Sequence, residues 1–125
     1  MNLENKQFKR ALGTEYEKKA ATYLESIKYK ILDKNVNYRW GEIDLVAVDA
    51  ERLELVFIEV RHRAMNSMCA PEESISATKQ RRLKLAINTY LSSLGFSRLG
   101  LKLNGVRIDL VAYSGDEMRH WKNFI

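Results

Sequence analysis

The chain lacks most features that mark secreted, membrane or multidomain proteins. It has one cysteine, Cys69, which excludes an internal disulfide framework and is typical of a reducing compartment. It has one proline and six glycines, and it shows no repeat, low-complexity tract or Pro/Gly-rich linker. No apolar run approaches the roughly 18 residues of a membrane helix, and "MNLENKQFKR" has no apolar signal-peptide core. We therefore expect a cytoplasmic protein with no membrane segment.

What the chain does contain is typical of a basic, soluble globular domain. A length of 125 residues fits one domain, 1–125, with a single core. The net charge of +5 favours a polyanionic partner such as nucleic acid without requiring one. The two histidines and the single cysteine have no zinc-finger spacing, so a zinc site is not expected.

Hydrophobic periodicity predicts two long helices and four strands. The first helix covers about 9–27, with an apolar stripe at helical spacing, and the second covers about 76–94, with Gly95 as its stop signal. Strands are predicted at about 29–34, 42–48, 53–61 and 106–113. The stretch "NVNYRWG" and residues 62–74 are expected to form loops. The tail "SGDEMRHWKNFI" is short, with Trp121 and Phe124 as the residues that could dock it. This order predicts an α/β (α+β) fold in which helices cover a mixed sheet.

Two carboxylates interrupt the apolar strands of the predicted hairpin. If the turn is symmetric about residues 51 and 52, Asp44 faces Glu59, with Cβ atoms about 5 Å apart. Two charges at that distance repel by roughly 3 kcal/mol at an effective dielectric near 20. Apolar surroundings add a desolvation cost. One group must be protonated, or a basic side chain or a bound cation must offset the repulsion.

A divalent cation is one solution, since magnesium takes hard oxygen ligands from one or two carboxylates and keeps several waters. Arg61 lies two residues after Glu59, on the same face of the strand, and places a cation beside this site. The alternative is structural: backbone groups cap Asp44, and Glu59 forms an inert salt bridge with Arg61 or Arg63. The residues alone leave both interpretations open.

The second helix carries polar residues where its apolar stripe should continue. Lys79 and Gln80 lie four and three residues before Leu83, at the N-terminal end that favours anions. Lys79 could hold a phosphate there while Gln80 orients a water or a ligand. The alternative is that both cap the edge of the core. Arg81 and Arg82 point outward, as phosphate contacts or as a solvated face.

Several motifs together resemble the YraN family of small bacterial proteins. They are "GEIDLV", "FIEVRHR", "ATKQRRL" about twenty residues on, and "VRIDLV". On the first helix, Gly13, Glu17, Ala20 and Leu24 match the pattern "G-x-x-x-E-x-x-A-x-x-x-L". The resemblance covers nearly the whole chain. That family is similar to archaeal Holliday-junction resolvases and, more widely, to the PD-(D/E)xK nuclease superfamily.

The resemblance implies a restriction-endonuclease-like αβββαβ core and a magnesium- or manganese-dependent endonuclease. Its substrate would be branched or damaged DNA, with DNA favoured over RNA. Asp44, Glu59 and the Val60 carbonyl would hold the metal. Glu17, which read alone is a solvated helix-face acid, would be an additional catalytic acid, and Gln80 the polar residue of the second helix. Resolvase-like proteins are often dimers, since two strands have to be cut, so a homodimer is also implied.

The sequence departs from the superfamily pattern at Arg61, where lysine is usual. Lysine can hold or deprotonate the attacking water, whereas arginine keeps its proton and can only stabilise charge on the phosphate. Arg63, Lys79, Arg81 and Arg82 are the predicted nucleic-acid contacts. The rival hypotheses are a binding module that retains the fold without catalysis, and a protein-interaction role without nucleic acid.

Overall fold

The structure is a computed structural model that describes the backbone of residues 3–63 and 75–125 and the side chains from residue 13 on. In chain order its elements are α1 (Leu3–Ser26), β1 (Tyr29–Tyr38), β2 (Gly41–Asp49), β3 (Glu54–Arg63), α2 (Ala77–Leu91), α3 (Leu94–Ser97), β4 (Gly105–Ser114) and β5 (Glu117–Trp121). The strands form one sheet in the order β1-β2-β3-β4-β5. β3 and β4 are parallel, and the other neighbours are antiparallel.

Helices cover both faces of this sheet, and this explains why the central strands are apolar almost throughout. On one face, Ala20, Ala21 and Leu24 of α1 pack in a cluster with Leu45 and Ile58. On the other face, side chains of α2 pack against β2 and β3; they are Leu83, Ala86, Ile87 and Tyr90. A strand buried on both faces carries a nearly continuous apolar run rather than an alternating one.

The predicted fold class is confirmed. A mixed sheet flanked by helices is consistent with a restriction-endonuclease-like core. The parallel pair β3 and β4 needs a long crossover, which α2 supplies. Among the described helices, none combines the length and the apolar composition needed to cross a membrane.

The predicted hairpin register is also confirmed. Val48 pairs with Leu55, and Val46 pairs with Phe57. The paired ladder ends at Leu45 opposite Ile58. Asp44 and Glu59 each lie one residue beyond the end of this ladder, so their predicted direct pairing is not part of it.

Several predicted boundaries are wrong at the first helix and the strands. α1 begins at Leu3, earlier than expected, and ends at Ser26. The stretch "NVNYRWG" is mostly strand, because β1 continues to Tyr38 through an irregularity between Ile31 and Asp33. β3 extends to Arg63, since its parallel partner β4 keeps pairing with it up to Ser114. The rest of the predicted loop, 64–74, lies outside the described residues.

The end of the second helix and the C-terminal tail also differ from expectation. α2 ends at Leu91, and Gly95 lies inside α3 rather than stopping α2. The reason is Ser93, whose hydroxyl accepts a hydrogen bond from the Phe96 amide at 3.2 Å and caps a new short helix. The tail forms β5, paired with β4 across a two-residue turn at Gly115 and Asp116.

A buried network of charges joins the strands at the end of the sheet away from Asp44. Arg107 is 6% exposed, and its guanidinium lies 2.9 Å from Asp49, 2.8 Å from Glu54 and 3.0 Å from Asp109. It also donates to the Tyr29 hydroxyl. The Asp109 side chain is fully buried and accepts from the Asn123 amide. His120 Nε2 lies 2.8 Å from Asp109 Oδ2, which ties β5 to the network.

This network predicts a loss of stability in acid. Burial alone would raise the pKa of Asp109, but hydrogen bonds from His120 and Arg107 outweigh it and hold the pKa below the usual range. A lowered folded pKa means that the stabilisation is present above the unfolded value of about 3.9 and is lost as the pH falls through the folded value. The wild type should therefore have a larger free energy of unfolding than Asp109→Asn at pH 7. This difference between the two proteins should narrow below about pH 4.

Urea unfolding at a series of pH values measures this gap. The matched control is Asp116→Asn at the exposed β4–β5 turn, which should follow the wild type within about 0.5 kcal/mol at every pH. A gap for Asp109→Asn that stays constant down to pH 3 would show that the network does not supply acid-sensitive stability.

Candidate active site

A cavity of about 200 Å³ lies where β2 and β3 stop pairing. Four carboxylates from three different elements border it, together with cationic side chains from β3 and α2. Its lining comprises Gly13, Glu17, Glu42, Asp44, Glu59, Val60, Arg61, His62 and Lys79. We call this space the acid cavity.

The buried carboxylate of Asp44 accepts one backbone hydrogen bond among the described residues. Asp44 is 8% exposed, and its Oδ2 accepts from the Val60 amide at 2.8 Å. Burial is the main cause that raises its pKa, to about 8. The nearby charge of Glu59 contributes to this rise, and the hydrogen bond from the Val60 amide opposes it only in part. At neutral pH a negative charge on Asp44 is therefore disfavoured unless a cation is present.

Glu59 is 2% exposed and is held by two cations. Its Oε1 lies 2.8 Å from Lys79 Nζ and 3.3 Å from Arg61 Nε. The Arg61 Nε hydrogen is not directed at this oxygen and is satisfied by no described hydrogen bond. The predicted salt bridge between Glu59 and Arg61 is thus present as a loosely aligned ion pair, and Lys79 makes the tighter contact from α2.

The interpretation of Glu17 as a solvated acid on the helix face is wrong. The side chain points into the acid cavity, where its Oε2 is buried and has no described hydrogen-bond partner. Burial raises the pKa of Glu17, and hydrogen bonding to Asn35 opposes the shift. The charges of Glu42 and Glu59 raise it further. Four acidic side chains, Glu17, Glu42, Asp44 and Glu59, thus share one region with an excess of negative charge.

Not every predicted site residue reaches the acid cavity. Gln80 donates to the Ile75 carbonyl at 3.3 Å, as expected of a residue that caps the edge of the core. Arg81 is exposed and donates to Thr78 at 3.4 Å. Arg63 lies opposite Ser114 at the end of β3. Arg82 lines a neighbouring groove that also includes Lys79.

Sequence reasoning missed two residues that border the acid cavity. Glu42 lies two residues before Asp44 on the same strand, so strand periodicity could have identified it. His62 stacks on Tyr16 of α1, with ring centroids 4.6 Å apart and planes 7° apart. No local sequence signal marks His62, because the stacking depends on how α1 packs on the sheet.

The acids do not form a ready-made cluster of three ligands. Among the described side chains, those of residues 13–63 and 75–125, no group of three or more His, Cys, Asp or Glu is placed to hold a metal ion. The acid cavity does offer two carboxylates from adjacent strands, Asp44 and Glu59, with the backbone of Val60 beside them.

Comparison with known proteins identifies the family. A model described as "Uncharacterised protein family UPF0102" matches residues 16–113. A UPF0102 protein of Marinobacter nauticus is 47% identical over 82% of this chain and 77% of its own length. One of Thermodesulfovibrio yellowstonii is 38% identical over 90% and 93%, and one of Geobacter sulfurreducens is 30% identical over 96% and 92%. These matches confirm the resemblance to the YraN family, and the chain belongs to the UPF0102 family.

Proposed function

We propose that this protein is a magnesium- or manganese-dependent endonuclease that hydrolyses phosphodiester bonds in nucleic acid, with DNA favoured over RNA. The observation that carries the proposal is the convergence of Glu17, Asp44 and Glu59, from α1, β2 and β3, on one cavity. Burying several carboxylates so close together lowers the stability of a fold. Positions whose burial costs stability are typical of functional sites.

The donor set fits a hard divalent cation. Magnesium is usually held by one or two carboxylates and several waters, so the Asp44 and Glu59 pair suffices without a third ligating acid. One oxygen of Asp44 is taken by the Val60 amide, which leaves Oδ1 as a ligand. The buried, unpartnered Oε2 of Glu17 would accept a hydrogen bond from a water of the cation's shell. When bound, the cation would supply an activated water and draw charge from a phosphate oxygen.

The cationic side chains have separate roles in this proposal. Lys79 lies 2.8 Å from Glu59 and would turn toward a phosphate once the cation takes over the charge of Glu59. Arg61 remains protonated and would stabilise negative charge that develops on the phosphate, and it cannot act as a base. Gln80 would help only indirectly, by holding the start of α2 through Ile75.

Cleavage of a panel of labelled nucleic acids tests the proposal. Duplex, single-stranded, flap and four-way-junction DNA, with matched single-stranded RNA, are incubated with manganese, magnesium or a chelator. We expect cutting that requires the metal and that disappears in an Asp44→Asn protein purified in parallel, which controls for contaminating nucleases. Binding without cutting on every substrate would refute the nuclease.

A second candidate function is a binding module without catalysis. The specific observation in its favour is that Glu59 Oε1 already has two cationic partners, Lys79 and Arg61. A carboxylate neutralised in this way needs no metal. This function predicts salt-sensitive binding to nucleic acid, with a slope set by the phosphate contacts, and no cleavage with either metal.

Variants of Arg61 test its role in the proposed reaction. Arg61→Met should lower the cleavage rate by about 10²–10³-fold, the effect of removing one group that stabilises charge in the transition state. Arg61→Lys should stay within about tenfold of the wild type, because the positive charge remains. Single-turnover rates on one substrate at saturating manganese measure both. Equal rates for Arg61→Met and the wild type would exclude Arg61 from the reaction.

A further inference from the structure

A second and larger concavity adjoins the acid cavity. This groove has a volume of about 790 Å³ and lies between the β1–β2 turn and the N-terminal half of α2. Glu42 and Lys79 line both the groove and the acid cavity, so the two spaces meet at these side chains. A chain bound in the groove would therefore lead directly to the carboxylates.

The floor of the groove carries a large exposed aromatic ring. Trp40 is 45% exposed at the tip of the β1–β2 turn. Its ring lies nearly parallel to that of Tyr38, with centroids 6.1 Å apart and planes 10° apart. Its Nε1 donates to the Thr89 hydroxyl of α2 at 3.2 Å. The indole is thus exposed and yet held in one orientation, as a stacking platform requires.

The charged side chains that line the groove are mainly cationic. Three basic side chains line it, Arg39, Lys79 and Arg82, against the single acid Glu42. Arg39 and Arg82 are exposed, on opposite sides of the groove. This excess of positive charge favours an anionic ligand that carries negative charges at regular intervals.

The two walls are held close together at one glycine. A Cβ on Gly41 would lie 2.5 Å from the Arg82 carbonyl oxygen of α2. No side chain fits between the β1–β2 turn and the helix at this point. The backbones at Trp40 and Arg82 therefore lie close together, which places the aromatic ring and the exposed Arg82 side chain beside the same groove.

We propose that this groove, here named the Trp40 groove, binds an unpaired nucleic-acid strand. A base stacks on Trp40, and the flanking phosphates contact Arg39 and Arg82. A base within a duplex cannot present its face to a side chain, so a stacking platform selects single strands, flaps, ends and opened junctions. The inference rests on the proposed function in one respect: the bound strand is the one delivered to the acid cavity.

The test is a binding measurement in chelator, where no metal-dependent cleavage occurs. A labelled oligothymidine of about twelve nucleotides is titrated with protein at low salt and followed by anisotropy, with an oligouridine and a hairpin duplex of equal charge alongside. Trp40→Ala should bind the oligothymidine about 5- to 150-fold more weakly, while Trp40→Phe keeps most of the affinity. The duplex affinity should change less than threefold. Arg39→Ala and Arg82→Ala should each lower the salt slope on the single strand by about 0.7.

Intrinsic fluorescence locates the contact, because the chain has only two tryptophans, Trp40 and Trp121. The oligothymidine should quench Trp121→Phe, in which Trp40 is the sole indole, and should not quench Trp40→Phe. The oligouridine arm shows whether the groove prefers DNA or RNA. Unchanged affinity of Trp40→Ala, or an equal loss on single strand and duplex, would overturn the proposal.

The same proteins separate this inference from the nuclease. Asp44→Asn should bind and quench as the wild type does, whatever its activity. Stacking on Trp40 in a protein that never cleaves would refute the proposed function and leave the Trp40 groove in place. Metal-dependent cleavage by a protein in which Trp40→Ala binds normally would refute the groove and leave the nuclease in place.

Discussion

Asp44→Asn should stabilise the protein in chelator while it removes metal-dependent cleavage. Burial raises the pKa of Asp44 to about 8, above the unfolded value of about 3.9. An acid with a raised folded pKa favours folding at low pH, and this contribution is lost as the pH rises from about 4 to about 8. Asparagine carries no charge to desolvate, and its amide oxygen can still accept from the Val60 amide. We expect a gain of about 1–2 kcal/mol at pH 8.

The effect on cleavage has the opposite sign. Asparagine is a weaker cation ligand than a carboxylate, so the rate should fall by about a hundredfold or more. The matched control is Asp116→Asn, an exposed aspartate outside both cavities, which should change neither property. An Asp44→Asn protein that is less stable than the wild type at pH 8 in chelator would show that Asp44 has a structural role.

Thermal unfolding measures the stability change directly. A gain of 1–2 kcal/mol corresponds to a rise in Tm of about 3–10 °C for a chain of this length. The difference between Asp44→Asn and the wild type should shrink as the pH is lowered toward 4. Saturating manganese should raise the Tm of the wild type by mass action and leave that of Asp44→Asn unchanged.

Arg107→Met should cause the largest loss of stability among the substitutions considered. Arg107 is 6% exposed, and its guanidinium forms ion pairs with Asp49, Glu54 and Asp109 at distances of 2.8–3.0 Å. Methionine fills a similar volume but removes the positive charge that all three carboxylates contact, and Asp109 keeps only His120 and the Asn123 amide. Breaking a buried pair by removing one member costs about 3–5 kcal/mol, much of which is the penalty of the uncompensated charge.

Urea unfolding at pH 7 measures this loss, with Arg119→Met as the matched control. Arg119 lies on β5, is half exposed and pairs with Glu117 at 3.7 Å, so its removal should cost at most about 1 kcal/mol. A loss below 1 kcal/mol for Arg107→Met would mean that water or a local rearrangement neutralises the carboxylates. Such a result would remove the explanation given for the acid sensitivity of the fold.

Local sequence patterns predict the hairpin well. The turn between β2 and β3 is symmetric, so counting outward from residues 51 and 52 places Val48 opposite Leu55 and leads to Asp44 and Glu59. The second helix is also predictable from its apolar stripe, up to the point where Ser93 starts a new turn. The sequence also contains a signal for β5, because the Gly115–Asp116 pair between strand-like segments is typical of a β-hairpin turn.

The candidate site depends on contacts that no local pattern encodes. In the sequence, the neighbours Lys18 and Lys19 indicate that Glu17 lies on a solvated face. Glu17 instead faces inward because this part of α1 packs on the sheet. The pairing of Lys79 with Glu59 joins a helix to a strand twenty residues apart in sequence. The sequence places Trp40 in a predicted loop and does not mark it as part of a site. Its hydrogen bond to Thr89 forms only because the β1–β2 turn packs against α2.

Calorimetric titration of manganese into the wild-type protein, with Asp44→Asn and Asp116→Asn alongside, tests the central claim most directly. The account predicts saturable binding at one site in the wild type and in Asp116→Asn, and no binding in Asp44→Asn. Failure of the wild type to bind manganese, or equal binding by Asp44→Asn, would contradict the assignment of the acid cavity as a cation site.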